Sequence, residues 1–88
     1  MFDKLMEEEF VFKHTAFKHG RTEADIRRAF EQRLFDHALQ GEEHKNLLIG
    51  LDCNGIPIEV IYNMLDGDII NVFHAMRCRK VYLDLLDA

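Results

Sequence analysis

Asn54-Gly55 separates two β-rich apolar runs, Asn46 to Cys53 (NLLIGLDC) and Ile56 to Leu65 (IPIEVIYNML), and this feature restricts the fold of the chain more tightly than any other. Asn and Gly both tolerate positive φ, so the pair predicts a type I′ turn joining the runs as an antiparallel hairpin. Pro57 stands near the start of the second run, where a missing N–H does least harm. A further connection, Asp66-Gly67-Asp68, leads into Ile69 to Ala75 and extends the hairpin to a three-stranded antiparallel meander. One face of such a sheet must be covered, and the amphipathic material long enough to cover it lies N-terminal to the meander.

That N-terminal material reads as helical. Phe10-Val11-Phe12 suits a short edge strand, and Lys13 to Gly20 (KHTAFKHG) suits a short helix that stops at a glycine. Thr22-Glu23-Ala24-Asp25 has the form of a capping box, and Ile26, Ala29, Phe30 and then Arg33 or Leu34 recur at helical spacing. Leu34 to Leu39 carries no decisive period, and Gln40 to Lys45 reads as a polar loop around Gly41. Arg79 to Asp87 closes the pattern as a helix with Val81, Leu85, Tyr82 and Leu86 toward one side. The expected fold is α+β: a small antiparallel sheet of three to four strands, two N-terminal helices packed on one face, and a C-terminal helix. The helix pair does not imply DNA binding, because a recognition helix needs a three-helix setting and this chain turns to strands directly afterwards.

With 88 residues, one domain over 1–88 is expected, with 1–9 as an acidic leader; a chain this short buries only about 60 to 65% of its unfolded surface and cannot hold two cores. Apolar residues make up 48%, and seven phenylalanines supply core material. Phe10, Phe12, Phe17, Phe30 and Phe35 fall at inward helical or strand positions and read as core. Cys53 and Cys78 lack a C-x-x-C spacing and read as free thiols in a reduced, cytoplasmic protein, with no apolar run that suggests a membrane segment. The net charge of −5 argues against a general nucleic-acid binder. Its distribution is uneven, however: cations gather at Lys13 to Arg33 and at Arg77 to Lys80, so a fold that joins these stretches would make a basic face on an acidic protein.

Candidate chemistry concentrates in Ile69 to Leu86 (IINVFHAMRCRKVYLDLL), where a strand-like run meets a helix-like run. His74, Arg77, Arg79 and Lys80 sit at the junction and Tyr82 just beyond it. Cations at a helix N-terminus oppose the macrodipole, so helix stability does not account for them. His74 alternates with Phe73 and Ala75 and fits a core histidine as well as a functional one. His19 beside Gly20 fits a helix-end cap as well as an acid or base, and His14 is off the His19 face and reads as solvated. Histidine transfers protons near neutral pH and arginine matches two phosphate oxygens with one planar fork. His14, His19, His37, His44 and Asp52 lack metal-ligand spacing, and phosphate-loop, dinucleotide and serine-nucleophile motifs are missing, so neither metal nor cofactor is expected.

Lys18-His19-Gly20, a capped helix after it, the Asn-Gly hairpin and a final strand running into FHAMRCRKVY together resemble the BrnT-type toxins of the RelE/ParE toxin–antitoxin superfamily. The resemblance spans roughly residues 10 to 86. It implies a RelE-like fold and an RNA endonuclease, ribosome-associated or free, that blocks translation and is neutralised by a small antitoxin; a homodimer is a further partner expectation. Carried over, His19, His74, Arg77 and Arg79 form the catalytic set, with Lys18, Lys80 and Tyr82 binding substrate. Two features depart from the family: His74 stands where a small hydroxyl residue is commoner, and the net charge is acidic. Other functions compatible with the same motifs are a catalytically idle interaction module and a gyrase-targeting toxin of the ParE kind.

Overall fold

The computed structural model describes residues 9–87, so the acidic leader lies almost wholly outside the described residues. Five strands form one mixed sheet in the order β1-β5-β4-β3-β2. In chain order they are β1 (Glu9–Phe12), β2 (Arg33–Leu39), β3 (Glu42–Leu51), β4 (Pro57–Leu65) and β5 (Ile69–Arg77). β2 through β5 are antiparallel neighbours, and β1 pairs in parallel with β5 at the opposite edge. One α-helix, α1 (Glu23–Glu31), packs on the sheet; His14–Phe17 is a single 3-10 turn, and α2 (Lys80–Leu83) is one helical turn followed by a 3-10 turn at Asp84–Asp87. No helix among the described residues is long and apolar enough to cross a membrane.

This overturns the expected architecture of two N-terminal helices on a purely antiparallel sheet of three to four strands. Lys13 to Gly20 does not make a helix of useful length, because its backbone bonds go elsewhere. Lys13 N–H donates to Val72 O at 2.9 Å, carrying the β1–β5 pairing past the end of β1, and only one 3-10 turn fits before Gly20 reverses the chain at φ +80°. The second helix ends at Glu31, short of Arg33 and Leu34, which enter β2. The polar stretch 40–45, expected to be a loop, is mostly strand: Gln40-Gly41 turns the β2–β3 hairpin, with Gly41 at φ +87°. An edge strand exposed on one side carries no apolar alternation, and Arg33 to Leu39 therefore showed no period. The C-terminal helix expected over Arg79 to Asp87 is likewise reduced to two short turns.

The meander itself forms, but the type I′ turn expected at Asn54-Gly55 is not made there. At Asn54-Gly55 only Gly55 has positive φ, +75°. Gly55 N–H donates to Asp52 O at 3.0 Å, and Asp52 Oδ1 accepts from Asn54 N–H at 2.8 Å and Ile56 N–H at 2.9 Å. The loop is thus a turn organised by the buried Asp52 carboxylate and closed by a left-handed glycine. Arg21 Nη1 bonds the other carboxylate oxygen at 3.1 Å and ties the loop to the start of α1. At the second connection Asp66 and Gly67 both have positive φ, +49° and +87°, as a type I′ turn requires.

The core lies between α1 and one face of the sheet. Ile26, Ala29 and Phe30 of the helix meet Leu48, Ile58, Val60, Tyr62, Ile70, Val72 and Ala75 of the strands, with Phe10 and Phe12 at its border. Thr22 caps the helix as the sequence indicated: its hydroxyl accepts from Asp25 N–H at 3.1 Å and the Asp25 carboxylate accepts from Thr22 N–H at 3.2 Å. Ala29 presses so closely on β3 that a Cβ at Gly50 would fall inside van der Waals contact of the Ala29 carbonyl. Leu47 and Ile49 alternate with Leu48 and Gly50 and so point to the opposite face. There Leu47 shares a cavity of about 390 Å³ with Phe35, Leu39, Val81, Tyr82 and Leu85.

Candidate active site

A register irregularity in β5 builds the site. Tyr62 pairs with Val72, but the next pair is Ile61 with His74, so Phe73 is skipped as a bulge. Strict alternation would place His74 on the same face as Ile70 and Val72, inside the core. The extra residue reverses the phase: Ala75, opposite Val60, enters the core, and His74, opposite Ile61, turns to the face away from α1. The skipped residue has a second use. Its carbonyl accepts the Thr15 hydroxyl at 2.7 Å, which pins the 3-10 turn against β5. Two residues after that turn, His19 meets His74 edge to face, with ring centroids 5.4 Å apart and planes at 75°.

Beneath His74 lies Glu59, whose side chain is fully buried in the middle of β4. Glu59 Oε2 is 3.0 Å from His74 Nε2 and 2.6 Å from Arg79 Nη2, while Oε1 accepts from Arg79 Nε and from the Arg79 backbone N–H, both at 3.0 Å. Burial alone pushes this carboxyl up, but the hydrogen bonds from His74 and Arg79 and the charge of Arg79 outweigh it and hold it at about 2. The carboxylate is therefore ionised at neutral pH, and its bonds raise Arg79 above the usual guanidinium value in return. Cys78, buried beside this group, is pushed up to about 11 by burial and then by the Glu59 charge, so it is a protonated thiol and a poor nucleophile.

The structure joins some of the residues expected in the site and separates others. His19, His74 and Arg79 come together around Glu59. Arg77 ends β5 opposite Ile58, is exposed and forms no ion pair among the described residues. Lys18 is exposed next to His19. Lys80 is drawn into an exposed pair with Asp84 at 3.1 Å, and Tyr82 lies under the Arg79 guanidinium, 5.4 Å from Cζ to ring centroid, while lining the cavity with Val81 and Leu85. Lys80 and Tyr82 therefore have ready structural roles. Among the described residues no group of three or more His, Cys, Asp or Glu side chains is arranged to hold a metal ion.

Glu59 is the participant that the sequence reading passed over. Its signal was present: IPIEVIYNML holds one charged residue in an otherwise apolar run, and a carboxylate on a central strand must find partners. Chemically, the arrangement offers two adjacent imidazoles, one exposed and one oriented by a buried carboxylate, next to a half-exposed arginine. No protein-family model, curated protein or solved structure matches the chain.

Proposed function

We propose that this protein is the toxin half of a bacterial type II toxin–antitoxin pair and cleaves RNA in the cytoplasm by general acid–base chemistry, a cognate antitoxin holding it in check. The observation that carries the reading is the contact of the His19 and His74 rings beside the Glu59–Arg79 pair, with centroids 5.4 Å apart. The base form of His74 that suits the ionised Glu59 is the tautomer that donates its Nε2–H to the carboxylate and keeps its lone pair on Nδ1. Oriented in this way, His74 is the base that takes the 2′-hydroxyl proton, and the acid form of exposed His19 delivers a proton to the departing 5′-oxygen. Arg79, Arg77 and Lys18 supply positive charge to the phosphorane.

The test is cleavage of end-labelled RNA by the purified chain in the presence of a chelator. The expected products carry 2′,3′-cyclic phosphates, and His19→Ala and His74→Ala each slow the reaction by about 10²- to 10⁴-fold. Native-like rates in both variants, or loss of cleavage on chelation, would sink the reading. A second reading, an interaction module without catalysis, has one observation in its favour: Glu59 already neutralises Arg79. Induced expression separates the two, because growth arrest by the native chain that vanishes with His74→Ala or Arg77→Ala requires the chemistry, whereas arrest that persists in both points to a protein target.

A further inference from the structure

The phenylalanines were expected to be core, and Phe17 is not. It is 40% exposed, against 1% for Phe30. Its ring leans on Phe12, with centroids 5.4 Å and planes 36° apart. Its neighbours in sequence, Lys13, His14, Lys18 and His19, are all exposed, and no acidic residue lies between Phe10 and Thr22. Neither Lys13 nor Lys18 enters an ion pair among the described residues. On a protein of net charge −5, this run is a local basic strip with one exposed aromatic at its centre. Two residues span at most about 7 Å, so the Cα atoms of Phe17 and His19 lie within about one nucleotide step of each other.

We propose that Phe17 is a stacking platform for one base of a single-stranded RNA, with Lys13 and Lys18 against the flanking phosphates, so that the adjoining phosphodiester reaches His19 and His74. The proposal rests on the ribonuclease reading for its choice of ligand. An exposed ring among unpaired lysines binds a strand through a π-face and charge, both of which are sequence-tolerant. Bases of a duplex are stacked on one another and present no free face, so the platform selects unpaired substrate. The 3-10 turn that carries Phe17 is tied through the Thr15 hydroxyl to Phe73 of β5, the residue before His74.

The experiment measures fluorescence anisotropy of a labelled single-stranded oligoribonucleotide, 2′-O-methylated throughout so that it cannot be cleaved, against the native chain and Phe17→Ala, Phe17→Leu and Phe17→Trp. Leucine keeps an apolar contact with Phe12 and so controls for folding. The alanine and leucine variants are expected to bind about 5- to 100-fold more weakly and the tryptophan variant to bind like the native chain. An abasic site walked along the oligonucleotide should find a position that weakens the native chain by the same factor and leaves Phe17→Leu unaffected. Lys13→Gln and Lys18→Gln should each lower the slope of log affinity against log salt by about 0.7. Native-like affinity of Phe17→Leu, absence of binding by the native chain, or an abasic scan with no such position overturns the platform. Parallel cleavage assays on unmodified RNA keep the two ideas apart: the stacking signature without cleavage overturns the ribonuclease reading alone, and cleavage with unchanged Phe17→Leu affinity overturns the platform alone.

Discussion

Glu59 and Arg79 are the residues on which the site depends most, and their contributions differ from those of their neighbours. Arg79→Ala leaves a buried carboxylate with His74 as its remaining side-chain partner, and because Arg79 is half exposed the cost is on the order of 2 kcal/mol, below that of breaking a fully buried pair. Arg77→Ala, at an exposed position without an ion pair among the described residues, should stay within about 0.5 kcal/mol of the native chain. Urea denaturation of the two variants checks this, and equal stability would contradict the geometry around Glu59. The same carboxylate predicts acid sensitivity. Its folded pKa of about 2 lies below the ordinary 4.5, so it stabilises the fold fully above the ordinary value and loses that contribution as pH falls toward 2. The depression corresponds to at most about 3 to 4 kcal/mol, and solvent screening of half-exposed Arg79 reduces it to on the order of 2. Glu59→Gln should be less stable at pH 7 and should flatten the loss of stability between about pH 5 and 2, seen as converging denaturation midpoints for the two proteins.

At the scale of elements, the β5 bulge and the α1–β3 contact organise the rest. Gly50→Ala drives a methyl group into the Ala29 backbone, which cannot rotate away as a side chain would, so the helix must shift. A loss of about 1–3 kcal/mol is expected, with m-value unchanged in urea. Thr22→Ala removes one half of a formed capping box and should cost about 1 kcal/mol, whereas Thr22→Ser should be close to neutral. Thr15→Val tests the tether to the bulge. It keeps the β-branched shape but removes the hydroxyl that donates to Phe73 O, so it should uncouple the His19 and His74 ring resonances with little change in melting temperature. An unchanged ring-to-ring nuclear Overhauser contact would show that the tether is dispensable.

At the scale of the whole molecule, two faces of one sheet are used differently. The face toward α1 holds the continuous core, and the other face carries Glu59, His74 and the cavity wall shared by Leu47, Val81, Tyr82 and Leu85. Removing residues 80–88 should therefore leave the α1-side core folded but expose Leu47, which increased binding of a hydrophobic dye with retained far-ultraviolet circular dichroism would report. Sequence alone determined what depends on local chemistry: the capping box of α1, the strand character of most of Asn46 to Cys53 (through Leu51), Ile56 to Leu65 (from Pro57) and Ile69 to Ala75, and the clustering of His74 and Arg79. It was silent or misleading where the outcome depends on residues distant in the chain. Arg33 to Leu39 became a strand by pairing with Asn46 to Gly50 and, past a register shift, with Glu42, and Lys13 to Gly20 gave up helical bonds for Val72 and Phe73. The face on which His74 lies was likewise a tertiary decision: a period of two puts it in the core, and one unpaired residue, Phe73, turns it toward His19 and Glu59. Hydrophobic periodicity records which faces are buried within a segment, whereas pairing register and bulges are set by long-range hydrogen bonds that no window of sequence contains.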